Sequence, residues 1–201
     1  MTEIDEYKEP SIHSESLFKD KGSKHFGYVF PVHNEKDIEL ALLSLKKSHY
    51  SARHICYAWS LGIDQVVTKS TDDGEPHNSA GPPILGQIQS FELHNVLIAV
   101  VRYFGGTKLG VGGLINAYKT ASKEAILENK IISKYRTKTL LLTFPYAIMS
   151  EIMRFSKREG IQVLGQDFQD HCNLTITIRE KYFSDYQDFL SKLHQLQTKI
   201  I

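Results

Sequence analysis

An apolar run that ends in a glycine-rich loop constrains this chain more than any other segment. Residues 95–101 read NVLIAVV, and Arg102–Leu114 continues as RYFGGTKLGVGGL. Apolar and β-branched residues in succession predict a strand over Val96–Tyr103, central in its sheet and covered on both faces. Gly105, Gly106, Gly110, Gly112 and Gly113 follow. Backbone without Cβ atoms can approach a ligand closely and take positive φ. The loop opens into a helix of about Gly110–Asn129 that buries Leu114, Ala117, Tyr118, Ala121 and Ala125. The free N–H groups at its start, together with the macrodipole, favour an anion. Arg102 and Lys108 flank the loop as charged donors, with Tyr103 beside them. The chemistry indicated is capture of a phosphate-bearing partner, and the competing use of the same glycines is tight strand-to-helix packing.

The familiar nucleotide fingerprints fail on this loop. A dinucleotide G-x-G-x-x-G beginning at Gly110 and Gly112 would need glycine at Ile115. A Walker A pattern beginning at Gly105 and Gly110 would need lysine where Val111 stands. The pattern left is a less specific anion cradle, which Lys21, Ser23 and Lys24 in a preceding turn would extend.

The charge balance makes any such site local. Net charge is +1, with 16 Lys+Arg against 16 Asp+Glu in residues 1–136 and 8 against 7 in residues 137–201. Neither part has the bulk positive charge of a nonspecific nucleic-acid binder. Two distant cysteines, Cys56 and Cys172, exclude a disulfide framework and a thiolate zinc cluster. No apolar run is long enough to span a bilayer, and the acidic start MTEIDEYKEP does not read as a signal sequence, so the expected location is cytoplasmic, with no membrane partner.

Periodicity organises the rest. Ser11–Phe18 and His25–Val32 are expected as a hairpin about Lys19–Gly22. Asn34 caps a helix in which Ile38, Leu42 and Leu45 repeat through about Ser48. His54–Leu61 and Gln65–Lys69 read as strands, and Pro82 and Pro83 suit the first turn of a helix reaching about Phe91. Ser133–Thr137 is polar and basic and reads as a boundary. Beyond it come a strand at Thr139–Phe144, a helix at Tyr146–Arg158 closed by Gly160, and a hairpin of Ile161–Phe168 and Cys172–Arg179 about Gln169–His171. A helix at Tyr182–Gln197 follows, with a stub at Lys199–Ile201. The reading is an α+β protein of two domains, 1–136 and 137–201, the second with the βαββα order of a ferredoxin-like unit.

The second chemical segment is Asp72-Asp73-Gly74-Glu75-Pro76-His77, three carboxylates and an imidazole in six residues. With His54 it offers a ligand site or acid–base groups. The plainer use is an Asp-Gly turn whose carboxylates accept local N–H bonds. His54 and Cys56 share a strand face, yet no third group is visible to orient a nucleophile and base. No H-E-x-x-H or G-x-S-x-G pattern occurs.

These segments together resemble the YigZ/IMPACT family. The resemblance rests on Lys21-Gly22-Ser23-Lys24-His25-Phe26, on Ala52-Arg53-His54-Ile55-Cys56-Tyr57-Ala58, on Asp72–Pro76 with Ala80-Gly81, and above all on Arg102–Leu114. It covers about residues 17–128, and the smaller C-terminal part resembles the second domain of two-domain bacterial members. Where such members have Ser-Gly-Thr after Glu-Pro, this chain has His77-Asn78-Ser79, and Asn116 stands in place of a common arginine. The resemblance implies an N-terminal domain with a ribosomal-protein-like fold, as in elongation factor G, beside the ferredoxin-like domain. Such a pairing suggests RNA or ribosome contact, and eukaryotic members of the family regulate translation.

The leading expectation is therefore a non-catalytic, translation-associated protein binding RNA or a ribosome-associated partner. Phosphate would be held at Arg102, Tyr103, Gly105, Gly106, Lys108, Gly110, Gly112 and Gly113, with Lys21 and Ser23. No catalytic residue, metal ligand or cofactor is assigned. His54, Asp72, Asp73, Glu75 and His77 form a ligand site or a structural turn. A hydrolase using Asp73, Glu75 and His54 or His77 is the first alternative, and a protein–protein interaction module is the second.

Overall fold

The computed structural model describes residues 5–168 and 172–201. The chain is mixed α/β and forms two compact units. One comprises Tyr7–Lys134; the other comprises Tyr135–Ile201 together with Asp5 and Glu6. The hairpin turn expected at Gln169–His171 lies outside the described residues. No helix among them is long and apolar enough to cross a membrane.

The larger unit is built on a five-stranded antiparallel sheet. Its strands are β2 (Ser14–Asp20), β3 (Ser23–Pro31), β4 (His54–Leu61), β5 (Val67–Thr71) and β6 (Val96–Tyr103), in the order β2-β3-β6-β4-β5. Three helices cover it: α1 (Glu35–Ser48), α2 (Gly81–Ser90) and α3 (Gly110–Leu127). Strand β6 is central and its two faces are both buried. Val96, Ile98 and Val100 pack with Ile84 and Ile88 of α2 and with Ala117, Ala121 and Ala125 of α3. On the opposite face, Leu97 packs with Ile38 of α1, and Ala99 and Val101 pack with Leu45. Alternation would be expected of an antiparallel strand with one wet face; helices on both sides remove it.

Local chemistry sets the ends of these elements. The Asn34 side chain accepts the Asp37 N–H at 3.0 Å, while Asp37 Oδ2 accepts the His33 N–H at 2.8 Å, a reciprocal cap that starts α1. Lys21 and Gly22, with φ of 46° and 80°, make the two-residue turn between β2 and β3. Helix α3 lies unusually close to the sheet because its inner face is alanine. Ser14 and Ser16 of β2 donate to the carbonyls of Ala125 and Ala121 at 2.7 and 2.8 Å. A Cβ on Gly27 would sit 2.5 Å from the Ala121 carbonyl oxygen.

Two strands escape periodicity. β1 (Glu6–Pro10) pairs with β7 (Ile131–Tyr135), so the segment read as a polar boundary, Ser133–Thr137, is strand except at Arg136, and the two units divide within it, between Lys134 and Tyr135. The pair is joined through its backbone, with the Lys134–Glu9 ion pair beside it, and Ile131 packs against the core of the larger unit.

The smaller unit contains β8 (Thr137–Phe144), α4 (Met149–Phe155), β9 (Ile161–Phe168), β10 (Cys172–Arg179), α5 (Glu180–Ser191) and β11 (Gln197–Ile200). The strands form an antiparallel sheet in the order β11-β8-β10-β9. Leu140, Leu142, Phe144, Leu174, Ile176 and Ile178 bury one face against Ile152, Phe155, Phe183 and Leu190. Helix α5 ends at Ser191 rather than near Gln197, because the residues that follow return as β11 beside β8. Asp5 is buried in this unit. Its carboxylate takes Arg179 Nη2 at 2.8 Å and Nε at 3.2 Å, and these bonds hold it below the usual carboxylate range.

His25 of β3 is fully buried beside Tyr118, ring centroids 5.4 Å apart, with neither ring nitrogen hydrogen-bonded. Burial, then the charge of Arg102, lowers its pKa from 6.5 to about 4. The unfolded chain therefore binds a proton between those values that the folded chain does not, and stability must rise with pH across that window. Urea unfolding should show stability falling from pH 6.5 toward pH 4, with a smaller fall in His25→Phe. Gly27→Ala should lower stability by roughly 1–3 kcal/mol through the clash with α3, measured by the same unfolding curves.

Candidate functional site

Register across the sheet places three polar residues in one row: His25 pairs with Arg102, and Arg102 with His54. Paired residues share a face, so the row lies on the side that α2 and α3 cover. At this end of β6 the sheet, the start of α3 and the acidic turn surround a hollow of about 680 Å³. Arg53, His54, Glu75, Arg102, Tyr103 and Lys108 contribute its polar wall, and Phe104, Leu109, Val111 and Leu114 its apolar wall.

A buried ion pair forms the base. Arg102 Nη1 donates to Glu75 Oε1 at 2.6 Å, and the two side chains are 9% and 4% exposed. The Tyr118 hydroxyl donates to the same oxygen at 2.8 Å. Burial pushes the Tyr118 phenol up, so it remains a donor. Arg102 is thus spent largely on Glu75, although its Nε is buried and unpartnered. Tyr118 joins α3 to the turn, a connection sequence reading missed because Tyr118 follows the helical apolar period and reads as core.

The remaining carboxylates of the turn are braces. Asp72 Oδ1 accepts the N–H groups of Ala80 and Gly81 at 2.9 and 2.8 Å, and Oδ2 that of Asn78 at 2.8 Å. Burial opposes its charge, yet the amides of Gly81, Ala80 and Asn78 hold its carboxyl below the usual value. Asp72 thereby caps α2 from nine residues before its first residue. Asp73, at φ 40°, accepts the Ile55 N–H at 2.7 Å, and its carbonyl takes His54 Nδ1 at 2.8 Å. A carbonyl only accepts, so Nδ1 of His54 carries the proton. His77 is exposed and does not line the hollow. Cys56 Sγ lies 2.9 Å from the Asp72 carbonyl oxygen, and burial pushes its thiol well up, which makes it a poor nucleophile. Among the described residues no group of three or more His, Cys, Asp or Glu is arranged to hold a metal ion.

The glycines divide by use. A Cβ on Gly105 would run into the Gly22 backbone, and the Gly105 N–H donates to Ser23 Oγ at 3.1 Å, with Ser23 fully buried. Gly113 is tight against Leu109. Gly106, Gly110 and Gly112 face open space, and Gly106 and Gly110 have φ of 90° and 74°. Leu109 gives α3 no side-chain cap, so the N–H groups of its first turn remain available. Lys108 and Arg53 are exposed at the rim, and among the described residues no carboxylate pairs with either. Lys21 sits exposed in the hairpin turn outside the hollow. Sequence reading quoted Arg53 only as part of a motif; its signal is position, one residue before the strand that carries His54.

Known proteins share this framework. The Impact N-terminal domain matches residues 21–126, which include every residue lining the hollow. An IMPACT family member of Haemophilus influenzae is 30% identical over 176 residues, 86% of this chain and 84% of the relative. The IMPACT family member YigZ of Escherichia coli is 40% identical over 137 residues, 67% of each chain. A solved structure described as a hypothetical protein aligns over 98% of both chains with a TM-score of 0.68 at 24% identity, a likeness of fold. With the domain match spanning more than half its length, this chain belongs to the IMPACT family.

Proposed function

We propose that the hollow beside β6 is a receptor for RNA phosphate, and that the protein is a non-catalytic, cytoplasmic, translation-associated regulator binding RNA or a ribosome-associated partner. The observation that carries this reading is the uncapped start of α3, opening with Gly110 onto a hollow whose rim cations, Arg53 and Lys108, have no carboxylate partner among the described residues. The one carboxylate among the residues lining the hollow, Glu75, is neutralised by Arg102. The local field therefore favours an anion although net charge is close to zero. Family membership supports the translation setting. The strand order β11-β8-β10-β9 with two helices supports a ferredoxin-like second domain, and the ribosomal-protein-like reading of the larger unit rests on the family resemblance. The hydrolase alternative has less support, because Asp72, Asp73 and Glu75 are each occupied by hydrogen bonds within the fold.

Arg102 does not serve as the diagnostic mutation. Removing it strands Glu75 in the interior, which costs about 3–5 kcal/mol. Arg102→Ala and Glu75→Ala should accordingly show large losses in urea stability. Arg53→Ala and Lys108→Ala should leave stability near wild type and weaken binding to single-stranded RNA. The slope of log affinity against log salt should become shallower by about 0.7 for each phosphate that is no longer neutralised. RNA binding that ignores salt and both substitutions would overturn the proposal.

A further inference from the structure

A second hollow, of about 370 Å³, lies beside the first and is lined by Gly22, Lys24, Phe26, His49, Tyr103 and Phe104. Tyr103 and Phe104 line both hollows. Phe104 is 57% exposed, which wastes a large apolar surface unless something covers it. Its position is nonetheless well defined. The next residue, Gly105, is packed against Gly22 with no room for a Cβ and is bonded to Ser23, and the Arg102 guanidinium stands 5.7 Å from the ring centroid. Tyr103 is equally fixed: its hydroxyl lies 3.0 Å from His49 Nδ1, and His49 Nε2 lies 2.7 Å from the Tyr28 hydroxyl. Burial keeps His49 below its ordinary pKa, in the neutral form that can donate through one nitrogen and accept through the other.

Each hollow also has exposed cations: Arg53 and Lys108 at the first, Lys24 at the second. Among the described residues none of the three is in an ion pair. An aromatic on an anchored backbone between two hollows, with cations on both sides, matches the way unstacked bases are held while the backbone is tracked by charge. A duplex keeps its bases stacked on one another and cannot offer them to both cavities.

Resting on the RNA reading of the first hollow, we propose that Phe104 is a stacking wedge between two base-binding hollows. The site then takes at least two successive nucleotides of single-stranded RNA. Lys24 contacts the phosphate on one side of the wedge, and Arg53 and Lys108 contact it on the other.

The test is fluorescence anisotropy with an end-labelled single-stranded hexanucleotide RNA, with the same sequence in a duplex as control, on the full chain. Phe104→Ala should weaken hexanucleotide binding by roughly 5–150-fold, the range for loss of one base–aromatic stack. Phe104→Trp should retain binding, Lys24→Ala should weaken it, and the duplex should bind more weakly than the single strand. Phe104 and Lys24 are exposed, so their variants should keep the wild-type unfolding curve. If Lys108→Ala weakens RNA binding while Phe104→Ala and Lys24→Ala do not, the wedge is overturned and the phosphate reading survives. If the duplex binds as well as the single strand, the wedge is likewise overturned. If the wild-type chain binds neither RNA, both readings fall together.

Discussion

The buried pair between Arg102 and Glu75 is the interaction on which the arrangement of the site depends. It joins the end of the central strand to the acidic turn, and Tyr118 extends the join to α3. Isolated, either charge would be expensive in this interior; together, and with the phenol as a second donor, they are compensated. The pair also neutralises the one carboxylate among the residues lining the hollow, whose other polar side chains include Arg53, Lys108, His54 and Tyr103. Neighbouring His25 shows what the same burial does to a group without such a partner: with no hydrogen bond to either nitrogen, it is kept neutral.

The turns around this pair act as its supports. Asp72 caps α2 while Asp73 fastens the start of β4, so the two aspartates hold the turn that carries Glu75. On the opposite side, the hairpin turn at Lys21-Gly22 packs directly against Gly105. Glycine is needed at both positions because two backbones meet there without space for a side chain. The glycine loop is therefore anchored at Gly105, while Gly106, Gly110 and Gly112 face open space. Preorganisation of this kind lowers the ordering cost of any ligand it receives.

Elements whose signal is local were legible. The reciprocal cap at Asn34, the apolar run of β6, the alanine face of α3 and the Asp-Gly turn all follow from neighbouring residues. Strands β1 and β7 were not, because each is short and pairs through its backbone with a segment distant in sequence, and of β11 only the end was expected, as the stub at Lys199–Ile201. The end of α5 was overrun for the same reason, since nothing in its own sequence announces that β8 awaits a partner.

For the site, residue types and spacing were enough to single out the glycine loop, the acidic turn and the family to which they belong. They also sufficed to exclude the common nucleotide-binding patterns. Which charges remain free for a ligand was decided only in three dimensions. Arg102 and Lys108 look equivalent in sequence, but one is consumed by Glu75 and the other stands at the rim, and likewise only Gly105 and Gly113 of the loop's glycines prove to be hemmed in by neighbours. The physical reason is that hydrogen-bond and charge compensation are settled between segments tens of residues apart, whereas composition and periodicity record only what each segment prefers by itself.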